Sequence, residues 1–177
     1  MDIDIGIGKT GRRAYGFDDI AIVPSRRTRD PDDVDISWEI DAFTFGLPML
    51  GSAMDSAISP ATAIEIGRLG GLAVLNLEGL WTRYEDPTPQ LEEIASLPAE
   101  KATRRMQEIY QEPLKPELIG QRIADLRSAG IVTAASLTPQ RVEQYAGLTV
   151  EAGLHLLVIQ GTVVSAEHVS SRSEPRN

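Results

Sequence analysis

The sequence predicts an α/β fold built on a parallel sheet, and three observations carry that prediction. Four short apolar runs, Met49–Gly51, Leu72–Leu77, Ile131–Leu137 and Leu154–Gln160, lack the in/out alternation of half-exposed strands, as expected where both faces of a sheet are covered. A helical pattern opening on proline follows each of the first three runs. The spacing repeats as well, because Met49 to Leu72 is the same interval as Ile131 to Leu154. That interval holds one strand, one helix and two tight loops, which makes a right-handed βαβ unit. Repeated units of this kind build either a barrel or a doubly wound sheet. A complete (β/α)8 barrel typically takes ~250 residues, and 177 residues hold about half of one.

Each helix carries its own start and stop. Pro60–Leu69 has Ser59 as its cap and stops at Gly70-Gly71. Pro116–Ala129 places Ile119, Ile123 and Leu126 on one face and ends at Gly130. Pro139–Ala152 has Thr138 as its cap, turns Val142, Tyr145 and Ala146 inward, and stops at Gly153. Between the two βαβ units lie Pro89–Leu97, Ala99–Tyr110 and Pro116–Ala129. Broken by Pro98, Pro113 and Pro116, they read as an insert of surface helices.

Composition narrows the function classes. A net charge of −9 disfavours broad binding to nucleic acid or an anionic membrane, both of which need a basic face. Lys9, Arg12, Arg13, Arg26, Arg27 and Arg29 crowd the first thirty residues and read as a solvated N-terminal arm. There is no cysteine, hence no thiolate metal site, and His155 and His168 are too few for zinc without carboxylate help. The opening Met-Asp-Ile-Asp lacks the regions of a signal peptide, and no apolar run approaches ~18 residues, so a cytoplasmic protein is expected. His155 reads as a rim or core histidine and His168 as part of a polar tail.

Among the motifs, Gly6-Ile-Gly8-Lys-Thr-Gly11 matches G-x-G-x-x-G, but no helical pattern follows it, so it reads as part of the arm. Pro48-Met-Leu-Gly-Ser-Ala-Met-Asp55 is more telling. It runs from strand end into a small-residue turn, where α/β folds bind phosphates and other ligands. Ser52, Asn76 with Glu78, Ser136 with Thr138, and Gln160 with Thr162 all stand at strand C-terminal ends. Polar residues at that level above apolar strand bodies favour a site. Glu92-Glu93 and Arg104-Arg105 read as solvated helix faces, and Trp81 as a packing residue.

Gly16-Phe-Asp-Asp-Ile-Ala-Ile-Val-Pro24, then Pro48–Asp55, then Gly70-Gly-Leu-Ala-Val-Leu75 resemble the opening of the IMP dehydrogenase/GMP reductase family. Thr133-Ala-Ala135 and Leu154–Gln160 fit its third and fourth strands. The likeness is to the IMP dehydrogenase-related branch without CBS domains, since Leu77 to Ile131 leaves no room for that insertion. The resemblance implies the first four βα units of a (β/α)8 TIM barrel, a half-barrel, with an arm over residues 1–15, the half-barrel over 16–165 and a polar tail over 166–177.

The family's chemistry is attack of a cysteine thiolate on C2 of a purine nucleotide, with hydride passing to or from NAD or NADP. By position, the resemblance implies that Ser52 and Met54 contact the nucleotide (IMP, XMP or GMP), and that Thr138, Gln160 and Thr162 lie by the cofactor. It also implies a homo-oligomer. Pro139 stands where relatives often have a histidine, and Gln160-Gly-Thr162 replaces an Asp-Ser-Ser pattern, which leaves the choice of cofactor open. No catalytic residue is assigned, and the chain alone is expected to be inactive, because the nucleophile belongs to the second half-barrel. A non-catalytic nucleotide-binding or subunit-interaction half-barrel, and a truncated fragment without function, are the rival expectations.

Overall fold

Proline at the first helical position and glycine after the last turn set the helices close to where the sequence places them. In the computed structural model, which describes residues 2–24 and 27–161, five helices form: α1 (Pro60–Arg68), α2 (Thr88–Ser96), α3 (Ala99–Ile109), α4 (Pro116–Ser128) and α5 (Pro139–Glu151). Ser59 caps α1 by accepting the Thr62 N–H at 3.0 Å. Thr138 is the N-cap of α5 by position only. Its side chain makes no capping bond, and its carbonyl instead receives Arg141 and Val142 N–H.

The chain divides into two compact units after Asp35. In the first, the expected arm contains an antiparallel hairpin of β1 (Asp2–Gly6) and β2 (Lys9–Arg12). Gly8 takes φ 69° in its turn, a left-handed conformation that glycine adopts without strain. The G-x-G-x-x-G motif is thus a hairpin, not a strand leading into a helix. A short 3-10 turn at Phe17–Asp19 follows, pinned by the Gly16 N–H on Asp19 Oδ2.

The second unit opens with a hairpin that the sequence reading did not foresee, β3 (Trp38–Ile40) and β4 (Phe43–Phe45). Its two-residue turn begins at Asp41, φ 51°, where a short polar side chain tolerates the left-handed region. The four predicted strands follow as β5 (Leu50–Gly51), β6 (Leu72–Asn76), β7 (Ala134–Leu137) and β8 (Leu156–Ile159), a parallel sheet in the order β5-β6-β7-β8.

Register sorts the side chains into two layers. Ala73, Leu75, Leu77, Ala135 and Leu137 face the helices and pack with Ile119, Ile123, Leu126 and Tyr145. Each fully buried leucine or isoleucine there contributes roughly 1.5–3 kcal/mol by leaving water. Three of those residues belong to α4, so Pro116–Ala129 is not part of a surface insert. It is the crossover helix between β6 and β7, while α2 and α3 together bury only Ile109. On the opposite sheet face Leu72, Val74 and Ala134 pack with Phe45, Trp38, Ile40 and Phe43 of the hairpin. The outer strands stay partly uncovered: Met49, Leu50, Val158 and Ile159 are exposed.

Candidate functional site

The hairpin covers the strand face only from its N-terminal end, and polar residues take over further along. In register, Asn76 pairs with Ser136, and Ser136 with Val158, on the hairpin-covered face. Ser136 is buried in the sheet, whereas Asn76 is half-buried and turns its Oδ1 to accept the Glu78 N–H at 3.0 Å. Gln160, just past β8, is exposed and donates its N–H to Leu137 O at 2.8 Å.

Between β5 and α1 the chain makes a tight turn. Met54 N–H bonds Ser52 O at 2.8 Å, and Met54 O then receives Ala57 and Ile58 N–H. Ser52 is exposed, and so is Met54, at 50 % of its surface. Core filling therefore does not account for this methionine. The helix N-terminus is not part of the turn, because α1 begins only at Pro60 and its first-turn donor at Thr62 is already taken by Ser59. A ligand at Ser52 would meet the turn rather than a free helix end.

Beside this turn lies a polar network that sequence reasoning missed. Asp55 Oδ2 accepts the Leu80 N–H at 2.9 Å and the Tyr110 hydroxyl in a short hydrogen bond, while Oδ1 is buried without a hydrogen bond. The approach is so close that a Cβ at Gly79 would collide with the carboxylate. Arg83 lies over the Tyr110 ring at 5.7 Å and donates to the carbonyls of Glu78 and Glu112. Burial, together with the Asp55 carboxylate, pushes the Tyr110 phenol well above its usual range, against the opposing pull of Arg83. The network joins the β5–α1 turn to the β6–α2 loop. Asp55 lay within a flagged motif and Glu78 at a flagged strand end, but neither pattern pointed to Leu80 or Tyr110. The partners of Asp55 are 25 and 55 residues away, beyond any local pattern.

A second junction joins β6, β7 and β8. Glu78 Oε1 accepts the Thr138 N–H at 2.5 Å, placing a carboxylate at the start of α5. Pro139 packs so near the end of β8 that a Cβ at Gly161 would stand 3.0 Å from its Cγ. Thr138 is thus joined to Glu78 by the Glu78 carboxylate, and Gln160 lies beside the same strand end through its N–H on Leu137 O. Because the Thr138 hydroxyl makes no capping bond, the set offers a hydroxyl, a carboxylate and an amide. That chemistry suits a ligand rich in hydroxyl groups. Thr162 lies outside the described residues, as do Arg26, His168 and the tail from 166 to 177.

Trp81 packs against the helix-side core and carries Arg122 over its ring at 5.9 Å. His155 sits at the N-terminal rim of β8, its Nδ1 accepting the Thr133 N–H at 3.0 Å. Glu93 is exposed and Arg105 half-buried, and they pair through two hydrogen bonds of 2.7 and 2.9 Å that tie α2 to α3. Among the described residues no helix is long and apolar enough to cross a membrane.

Comparison with known proteins gives four consistent results. The family model "IMP dehydrogenase / GMP reductase domain" matches residues 14–172. An uncharacterized oxidoreductase of Mycobacterium tuberculosis is 47% identical over 180 residues, covering 99% of this chain and 48% of that protein. An inosine-5'-monophosphate dehydrogenase of Methanocaldococcus jannaschii is 35% identical over 65 residues, 37% of this chain and 13% of that protein. A crystal structure of an IMP dehydrogenase/GMP reductase-like protein from Corynebacterium glutamicum aligns with a TM-score of 0.83 at 44% identity, over 96% of this chain and 47% of that one. The chain thus spans about half the length of the relatives it matches most fully.

Proposed function

The chain belongs to the IMP dehydrogenase / GMP reductase family, and from that premise we propose that it is the N-terminal half of a purine-nucleotide oxidoreductase barrel acting in the cytoplasm. Its four parallel strands form one half of the barrel wall. Ser52 and Met54 contact the purine nucleotide (IMP, XMP or GMP), and Thr138, Gln160 and Thr162 face a nicotinamide dinucleotide. That dinucleotide supplies hydride exchange with C2 of the base. This chain's residues bind and orient. With no cysteine among its 177 residues, it brings no thiol nucleophile to C2.

One observation carries the reading. Ser52 and Met54 stand exposed on a hydrogen-bonded turn at the end of β5, where neither packing nor helix capping employs their side chains. Ligand sites of parallel βα folds lie at this end of the strands.

The test is calorimetric titration of IMP and of GMP into the wild-type chain and into Ser52→Ala. Loss of one hydrogen bond should weaken binding by ~0.5–1.5 kcal/mol, or by ~1.5–3 kcal/mol if the accepting group is a charged phosphate. Equal affinities in the two proteins would remove Ser52 from the site.

A further inference from the structure

We propose that the α2–α3 helix pair positions the nucleotide-contacting turn, with Tyr110 as the positioning residue: its hydroxyl holds the Asp55 carboxylate, and Asp55 holds the segment that presents Ser52 and Met54. The inference rests on the reading of Ser52 and Met54 as nucleotide contacts.

Packing does not explain the helix pair. A βα unit takes one crossover helix, and α4 already supplies it between β6 and β7. No residue of α2 is fully buried, and in α3 only Ile109 is. What α3 delivers instead is its C-cap residue, Tyr110, which meets a strand-end turn 55 residues away in sequence.

The end of α3 is fixed from several sides. Tyr84 Oη donates to the Ile109 carbonyl at 3.0 Å, and the Lys115 N–H donates to Thr82 O at 2.9 Å. Arg83 bonds the Glu112 carbonyl while its guanidinium lies over the Tyr110 ring at 5.7 Å. The ring therefore has a seat against the β6–α2 loop, and its hydroxyl is aimed at Asp55. Burial first, and the bond to Asp55 second, raise the phenol above its ordinary range, so it keeps the proton it donates throughout neutral pH.

Asp55 is the receiving half. Its Oδ2 takes both the Tyr110 hydroxyl and the Leu80 N–H, and its Oδ1 is buried with no hydrogen bond among the described residues. A carboxylate with one oxygen unpaired away from water depends on the donors at the other. Gly79 makes the approach possible: its φ of −89° suits any residue, yet a Cβ there would strike the carboxylate. Asp55 directly follows Met54, inside a turn closed by the Met54 N–H on Ser52 O and by the Ala57 and Ile58 N–H groups on Met54 O. The Ser52 and Met54 side chains are exposed, so the backbone of this turn, tethered through Asp55, sets where they stand. Freeing Asp55 from Tyr110 should therefore weaken a ligand contact that Tyr110 itself does not make.

The experiment titrates IMP and GMP by calorimetry into the wild-type chain, Tyr110→Phe, Ser52→Ala and the double variant, with thermal melting to verify folding. Phenylalanine keeps the ring under Arg83 and removes only the hydroxyl. Tyr110→Phe should weaken nucleotide binding about threefold to tenfold, the scale on which residues outside a ligand site act through a shared element. In the Ser52→Ala background the same change should cost less than about twofold, because both act through one turn. Hydrogen exchange without nucleotide should be faster at the Met54, Ala57 and Ile58 amides in Tyr110→Phe. Unchanged affinity in Tyr110→Phe, or unchanged exchange at those amides, overturns the inference and leaves the nucleotide reading standing. Fully additive losses in the double variant overturn it as well, since Tyr110 would then act elsewhere. An affinity that Ser52→Ala leaves unchanged, or a wild type that binds neither nucleotide, overturns the nucleotide reading and the inference with it.

Discussion

At the N-terminal end of the β5–β8 sheet, Phe45 and Trp38 stack at 4.7 Å over Leu72 and Val74, and Thr133 and His155 bond each other across β7 and β8. At the C-terminal end, the same sheet face carries Ser52, Asn76 and Gln160, and the loops are tied by carboxylates, Asp55 to Leu80 and Glu78 to Thr138. One end is sealed with apolar rings. The other is held open by polar contacts that span many residues of sequence. In a parallel sheet the chain enters at one end and leaves at the other, so stability and ligand contact can be assigned to different residues of the same strands. Substitutions at the two ends should therefore separate into effects on folding and effects on binding.

The largest effect should come from the sealed end. Phe45 is only 4% exposed, and Phe45→Ala should cost ~3–5 kcal/mol of stability, read by urea unfolding. A cost near zero would mean that the hairpin does not close this face. His155→Ala should cost less, about 1 kcal/mol, because it leaves the Thr133 N–H without its acceptor on a rim that water partly reaches. Neither change should alter nucleotide affinity once the protein is folded.

At the open end the expected effects are pH-dependent. Tyr110 has its phenol pushed up by burial first and Asp55 second. A raised folded value means the stabilisation is complete below the ordinary phenol range near 10 and is lost as pH rises above it. Alkaline melting should therefore show a loss of stability above about pH 10 that Tyr110→Phe does not share. An identical alkaline profile in the variant would place the titration elsewhere. The smallest effect belongs to the Glu93–Arg105 pair. The hydrogen bond from Arg105 holds the Glu93 carboxyl below its ordinary value. Its contribution is present above the usual glutamate range and fades as pH falls below it. Exposed pairs of this kind contribute little. Glu93→Gln should therefore leave the melting temperature at neutral pH nearly unchanged and slightly flatten its acid dependence.

How far the sequence foretold this molecule depends on how local each signal is. Ser59-Pro60, Thr138-Pro139, Gly70-Gly71 and Gly130 act within one turn, so the helix ends could be read almost residue by residue. All four strands were visible as unbroken apolar runs, as suits β6 and β7 with both faces covered, whereas the outer β5 and β8 keep such runs although Leu50, Val158 and Ile159 are exposed. The β3–β4 hairpin was not, since three-residue strands carry too short an alternation, and its partner surface lies beyond Leu72. Of the site, Ser52, Thr138 and Gln160 were legible as polar residues ending apolar runs. The roles of Asp55 and Glu78 were not, because their partners Tyr110 and Thr138 meet them only when the sheet assembles. Thr138-Pro139 carries a common helix start signal, yet the Thr138 hydroxyl makes no capping bond. Only the folded chain reveals that the Glu78 carboxylate takes the Thr138 N–H instead.

Hydrogen exchange with mass-spectrometric readout, on the chain alone and with saturating IMP or GMP, tests the assignment of the two ends most directly. The account predicts slowed exchange in the turn from Gly51 to Ile58 and in the Leu77–Leu80 loop, with the Trp38–Phe45 hairpin unchanged. Slowing centred on the hairpin, or no change at the turn with either nucleotide, would contradict it.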